Sequence, residues 1–509
     1  MPRFKDYSYD QQLMLPITLS KQILPGTFEY TLHVLFSEKL DLSVFYDRFQ
    51  NEETGAPAFD PAVLLKIILF AYSRGITSSR RIARFCDENI VCMALSADTH
   101  PHFTTIADFI SSMDKECIDL FTKVLAICYS ENLIGKEMFA IDGCKISSNC
   151  SKEWSGTKAD LVRKVEKIRK SISFLVGKHQ HEDLHGAKNK DLEKETAAIE
   201  KLSAKADKIE SWLSEHNDRM GASGKAVKSN ITDNESAKML SSHGVIQGYN
   251  GIAAVDDKNQ IVVWADAYGD INEAGHLPQI LQDLEKQCKD AGISEDIVHT
   301  VAITADSGFH NEVNMKYCIE HEIDTYIPDN KFRSRDVRFE SSGEHKKKTA
   351  NWRPVHSKKY FAPEDFHYNH KKHTASCPAG HPLRLNMKNY KAEDGKYTGD
   401  RFRGIEKVCR ECTLRDKCIR NPQTPFRQVT FFHRSIEGPD FLNMAKEKFD
   451  TATSRTMYSR RMGTVEPVFG HLRSTKGLNH FTLRGLKKVS TQWRLFCLVH
   501  NIGKLKLCW

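Results

Sequence analysis

Three carboxylates stand where chemistry could be done. Asp142 follows the apolar run Met138-Phe139-Ala140-Ile141 and precedes Gly143; Asp306 follows the mainly apolar run 300–305 and precedes Ser307-Gly308; Glu466 stands before Pro467. A carboxylate delivered by a buried strand is costly unless a cation, a metal or water faces it. Hard divalent cations take carboxylate oxygens, and two such ions about 3.5–4 Å apart stabilise the attacking and leaving oxygens of an in-line displacement at a phosphodiester. The three acids therefore suit metal-dependent cleavage and joining of nucleic acid strands. Each also has a plainer reading: a strand-end Asp forms turns, Asp306-Ser307-Gly308 reads as a turn, and Glu466 before Pro467 suits the first turn of a helix.

The elements that would carry these residues follow from periodicity. Met138–Ile146 reads as a strand, and 248–255 and 260–267 as a hairpin joined at Asp256-Asp257-Lys258-Asn259. A helix with Leu277, Ile280, Leu281 and Leu284 follows, then the strand ending at Asp306, a helix over 309–322 and a short strand over 324–328. A later helix carries Glu466. This order matches a ribonuclease H-like mixed sheet, three antiparallel strands and two parallel additions, in which the first and fourth strands are neighbours and bring Asp142 and Asp306 together.

Around this α/β core the chain divides into an all-α N-terminal domain (1–130), a first catalytic segment (131–157), a helical hairpin (158–220), the continued catalytic domain (221–328), an insertion (329–438) and C-terminal catalytic helices (439–509). Asp60-Pro61 is a helix start, with further helices from Ser78/Ser79 and near Thr104. Arg80, Arg81 and Arg84 would suit a helix-turn-helix-like contact with DNA, or simply a solvated basic face. Leu161, Val165, Ile168, Ile172 and Leu175, then Leu192, Ile199, Leu202, Ala206, Ile209 and Leu213, recur at spacings of an antiparallel coiled-coil hairpin, interrupted by a polar break over 178–190. This arm reads as packing or self-association. The insertion opens basic and polar (Asn330–Arg335, Lys346–Lys348) and carries Cys377, Cys409, Cys412 and Cys418. A Cys-x2-Cys half-site with a second knuckle suits a closed structural Zn²⁺ of zinc-ribbon type, with His381 able to replace one sulfur; metal-free thiols are the alternative.

Composition adds bounds. The 509 residues include 14 cysteines and carry a net charge of +8. No export signal opens the chain and no apolar run is long enough to span a bilayer, which implies a cytoplasmic, nucleoid-associated protein without a disulfide framework or membrane partner. Between Arg455 and Lys488 the bases Arg455, Arg460, Arg461, Arg473, Lys476, Arg484, Lys487 and Lys488 surround Glu466 as the only acid. That density points to a polyanion. His276 and His471 lie near the proposed site in sequence and read as structural or surface residues, though a histidine beside DNA could assist proton movement.

At these residues the chain resembles a known family. Ile141–Asn149 and Ala305–Gly308 resemble the first two acidic motifs of bacterial insertion-sequence DDE transposases, and Tyr458–Arg473 resembles the third. The N-terminal helices, with Phe59-Asp60-Pro61, resemble the InsH-type transposase N-terminal domain. The likeness covers most of the chain outside the hairpin. A related branch carries Tyr-x2-Arg-x3-Glu-x6-Lys; here Tyr458-x2-Arg461 fits, four residues separate Arg461 from Glu466, and Arg473 takes the last position. The resemblance implies two Mg²⁺ (or Mn²⁺) ions on Asp142, Asp306 and Glu466. It implies double-stranded DNA, as terminal inverted repeats and target, held by Tyr458, Arg461, Arg473 and Lys476, with the protein a homo-oligomer on DNA. The alternatives are a non-transposing nuclease of the same fold and a non-catalytic DNA-binding remnant.

Overall fold

Asp60 caps its helix as the sequence dictates: its side chain accepts the backbone N–H of Ala62, and Pro61 takes the first turn, where its missing N–H costs nothing. The computed structural model describes residues 17–49, 57–184, 192–220, 226–241, 244–270, 275–339, 360–391, 397–434 and 439–506. The run Lys346–Lys348, part of the polar break after Lys178, and the chain's first residues lie outside them. The N-terminal part is helical: α1 (Phe28–Val34), α2 (Pro61–Ser73), α3 (Ser79–Glu88), α4 (Ile90–Ser96), α5 (Phe103–Ser112) and α6 (Asp114–Ser130).

The chain then enters β1 (Met138–Ser147) and leaves it for two long helices, α7 (Lys158–Leu184) and α8 (Leu192–Glu215). They run antiparallel, since Arg169 pairs with Asp207 at 2.7 Å and Lys178 with Glu195 at 2.6 Å. Leu161, Val165, Ala206, Ile209 and Trp212 are buried between them at the base. Further out Phe174 is 73% exposed, so the expected continuous seam is fully buried only near its root.

The sheet resumes with β2 (Ala237–Ser241), β3 (Gly244–Asp256) and β4 (Val262–Tyr268), followed by α9 (Leu277–Asp290), β5 (Ala302–Ala305), α10 (Glu312–Glu320) and β6 (Thr325–Tyr326). Among the described residues these strands form one mixed sheet in the order β6-β5-β1-β3-β2, with β4 also on β3. β1 is antiparallel to β3 and parallel to β5, and β5 is parallel to β6. Asp256 fixes the β3–β4 turn by accepting the N–H of Gly135 at 2.9 Å and of Lys258 at 3.1 Å. The sequence does not announce β2, a short strand with two buried residues.

Three helices complete this unit: α11 (Phe441–Phe449), α12 (Ala452–Gly470) and α13 (Leu486–Leu505). α13 lies between the sheet and the N-terminal helices, packing on β4, α6, α5 and α2. Phe496 stacks on Tyr72 with ring centres 4.9 Å apart, and one apolar core extends from Ile23 to Leu505. The expected domain boundary near residue 130 is therefore not a structural division. The N-terminal helices share their core with the sheet because a C-terminal helix supplies the wall between them.

Residues 336–440 form a second compact unit. The insertion expected to be zinc-ribbon-like holds an antiparallel five-stranded sheet, β7 (His367–Asn369), β8 (Thr374–Ser376), β9 (Pro382–Lys391), β10 (Tyr397–Arg403) and β11 (Gln428–Arg434), in sequence order. Phe366, Ala375, Phe402 and Val429 make its core, with Tyr368 stacked on Phe431 at 4.5 Å. Among the described residues no helix is long and apolar enough to cross a membrane.

Candidate active site

Met138, Phe139, Ala140 and Ile141 are completely buried, and Asp142 is the first half-exposed residue of β1. β1 continues past it to Ser147, one residue beyond the strand read from sequence, paired with β3. What ends is the parallel ladder with β5, whose last rung is Ile141 opposite Ala305. Asp142 and Asp306 are the next residues on both strands, so they stand side by side where the sheet opens. Each carboxylate is oriented by a backbone N–H: Gly143 donates to Asp142 Oδ1 and Gly308 to Asp306 Oδ1, both at 2.9 Å. A Cβ at residue 308 would lie 2.9 Å from that same oxygen, so a larger residue there would push the Asp306 carboxylate aside.

α12 packs across β1 and β5. Thr451 caps it, and Glu466 lies well inside it, which removes the first-turn reading. Pro467 has no N–H to offer the carbonyl of Gly463, four residues back. Gln260 Nε2 donates to that carbonyl instead, at 3.1 Å. The buried face of α12 carries Arg461, Thr464, Val465 and Val468. Glu466 is exposed, on the helix face that continues through Phe469, Gly470 and Arg473 three, four and seven residues later.

An open cleft of about 850 Å³ is lined by Asp142, Lys145, Asp306, Gly470, Arg473 and Asn479 among others. Glu466 is one helical turn from its wall and not among the lining residues. Arg461, 7% exposed, reaches Asp142 from beneath, Nη2 to Oδ2 at 2.8 Å, while its Nε has no partner among the described residues. Burial raises the Asp142 carboxyl above the ordinary carboxylate range, Arg461 and the Gly143 N–H pull it down, and Asp306 adds to the rise. Two carboxylates that repel one another and one buried guanidinium sit at the floor of the cleft, with Lys145 and Arg473 on its walls. The sequence did not single out Lys145 or Asn479 as cleft residues; an alternate-face lysine and a loop asparagine carry no local signal of where they point.

The other expected residues lie elsewhere. Tyr458 packs edge-on against Phe332 and Phe449 at 5.6 and 5.3 Å. Lys476 sits over the Phe28 ring at 5.6 Å. Arg80, Arg81 and Arg84 are exposed on α3, Arg80 over Phe103 at 5.0 Å and Arg84 near Glu88 at 3.8 Å. His276 contacts Asp270 at 3.1 Å, and His471 meets His500 at 2.9 Å, so neither faces the acids. In the second unit Cys377, His381, Cys409, Cys412 and Cys418 line one small, mostly apolar pocket. Gly380, with φ +82°, turns the first knuckle so that its N–H reaches Cys377 O at 2.8 Å. Burial raises the Cys418 thiol; Arg427 opposes this, and Cys409, Cys377 and Cys412 add to it. Among the described residues no three Asp, Glu, His or Cys side chains converge closely enough to hold an ion as they stand, in the cleft or in this pocket.

Two family descriptions match the chain. A transposase DDE domain matches residues 376–506, which include the cysteine pocket and Glu466, and a transposase domain (DUF772) matches residues 18–112, the N-terminal helices. Both matches are to transposase families, and together they support an insertion-sequence DDE transposase. No curated protein matches the chain. The DDE match begins well after Asp142 and Asp306, so for the first two acids the β1–β5 pairing is the independent observation. Such families imply DNA binding and point to a nucleic-acid-processing enzyme.

Proposed function

We propose that the protein cleaves double-stranded DNA at the terminal inverted repeats of its element and joins the freed ends to target DNA, on a ribonuclease H-like sheet, with Asp142, Asp306 and Glu466 holding two Mg²⁺ or Mn²⁺ ions. The observation that carries this reading is the parallel rung Ile141–Ala305, which leaves two acids adjacent at the lip of a cleft. The donor set fits hard cations: the first two acids offer oriented carboxylate oxygens, and the Arg461 guanidinium already occupies the place of a cation on Asp142. Bound ions would stabilise the charge developing on the attacking and leaving oxygens.

The chain's own residues have separate tasks. Arg473 and Lys145 line the cleft as cations for the scissile strand, Arg473 with the forked geometry that matches a phosphate. Asn479 offers a neutral amide on the same wall. Arg461 favours the charged form of Asp142 and holds it in place, and would share that carboxylate with a bound ion. Tyr458 buttresses Arg461, whose Cζ lies 5.9 Å from the ring centre. Arg80, Arg81 and Arg84 supply a second DNA contact on α3. Cys377, Cys409, Cys412 and Cys418 would hold a structural Zn²⁺ as the closed site of the insertion, and the α7–α8 arm, with its coiled-coil spacing and exposed Phe174, mediates self-association on DNA.

The test is a strand-transfer assay with duplexes carrying the paired terminal repeats, a supercoiled target and Mg²⁺. Nicks at the repeat boundary together with joined products are expected. Nicks without joined products would reduce the protein to a nuclease; neither product would leave only DNA binding.

A further inference from the structure

Away from the cleft, three helix ends bring four cations to one place. Arg74 follows the last residue of α2, Lys476 closes the turn after α12, and Lys504 and Lys506 belong to the last turn and end of α13. Two glycines make the approach close. Gly75 and Gly477 have φ of +74° and +69°, and a Cβ on either would lie 3.4 Å from backbone of the other segment. The left-handed backbone at both positions favours glycine, and the two segments meet there in van der Waals contact.

None of the four cations is paired with a carboxylate among the described residues. Aromatic faces and an amide stand in: Arg74 Cζ lies 5.3 Å from the Phe70 ring centre, Lys476 Nζ 5.6 Å from that of Phe28, and Lys504 Nζ donates to Gln260 Oε1 at 3.2 Å. Burial holds the Lys476 amine below its usual range, and Arg74 and Lys506 lower it further. Burial, with Lys476 and Lys504, lowers the pKa of the neighbouring His471. Compensation of helix dipoles is the plain explanation for bases at helix ends. Its size decides against sufficiency: three C-termini offer roughly −1.5 charges in total, against four full positive charges.

We propose that Arg74, Lys476, Lys504 and Lys506 form a seat for the phosphodiester backbone of duplex DNA, separate from the catalytic cleft. The inference rests on the reading of the protein as one that handles duplex DNA. A backbone phosphate there would supply the missing countercharge and would tie the N-terminal helices and α12 to the same DNA.

The test measures affinity for a fluorescent duplex against KCl concentration by anisotropy, for the full chain and two double variants, Lys476→Gln/Arg74→Gln and Lys504→Gln/Lys506→Gln. Each lost phosphate contact lowers the slope of log K on log salt by about 0.9, so each double variant loses roughly 1–2 units of slope. Lys476→Arg retains the wild-type slope. Unchanged slopes in both folded double variants, with the wild type binding, overturn the seat and leave the proposed function standing. A wild type that does not bind duplex overturns both. Inorganic phosphate at constant ionic strength separates the sources: if it raises wild-type thermal stability, fails to do so in the variants, and the DNA slopes are unchanged, the seat takes small anions and the proposal is wrong.

Discussion

Asp142 is balanced between Arg461, which favours its charge, and burial with Asp306, which oppose it. The balance has a measurable sign. Arg461→Gln should raise the Asp142 pKa further and Asp306→Asn should lower it, read by carboxyl-carbon NMR titration; no response to Asp306→Asn would mean that the acids are not neighbours. Arg461 also competes with any cation for Asp142. At a pH above the Asp142 titration, Arg461→Gln should therefore tighten Mn²⁺ binding by about tenfold, since a hydrogen bond to a charged group contributes roughly 1.5 kcal/mol or more. Unchanged or weaker Mn²⁺ binding by calorimetry would show that Arg461 is not a placeholder. Asp142 and Asp306 were legible in the sequence because an apolar run ending in an acid is a local pattern and strand order restricts which runs pair. The Arg461–Asp142 contact was not, because no spacing links the middle of α12 to β1, and the resemblance assigned Arg461 to DNA alone.

The elements hold the site through contacts that tolerate little change. Gly251 on β3 faces Trp493 of α13, where a Cβ would lie 2.9 Å from the indole, and the indole N–H donates to Ile252 O at 2.9 Å. Trp493 is fully buried, so it cannot swing aside. Gly251→Ala should cost about 1–3 kcal/mol, the usual penalty of overpacking, measured by denaturant unfolding. A loss below a few tenths would mean that the ring is loosely held. Asn501 on α13 accepts from Val262 N at 2.9 Å and donates to Val262 O at 2.8 Å. Asn501→Ala leaves both backbone groups buried and unpaired, and about 2 kcal/mol or more should be lost. Helix starts and the β3–β4 hairpin were legible because caps and turns are written in a few adjacent residues. The β-sheet of residues 367–434 was not, since its longest strand, β9, is mostly exposed and its aromatic core meets only across strands.

For the whole molecule, the single core joining the N-terminal helices to the sheet is what the sequence concealed. A helical stretch before residue 130 reads as a domain until α13, near the other end of the chain, is seen to fill the space behind it. His500 on that helix makes the core sensitive to pH. It is 3% exposed, its Nε2 hydrogen donates to Gln260 O at 2.8 Å, and burial lowers its pKa from 6.5 to about 3. Below about 6.5 the unfolded chain takes a proton that the folded chain refuses, so stability is lost as pH falls towards 3. The loss should reach about 2 kcal/mol at pH 5, and His500→Gln should flatten that dependence in thermal melts. An equal pH dependence in the variant would place the sensitivity elsewhere. The central claim is tested most directly through Glu466, the acid that stands one turn outside the cleft wall. The measurement is Mg²⁺-dependent cleavage of a labelled duplex carrying the terminal repeat, by the wild type and Glu466→Gln, with binding followed on the same DNA. The account predicts nicking at the repeat boundary by the wild type, and a variant that binds but does not cut; equal cutting by both would contradict the three-acid site.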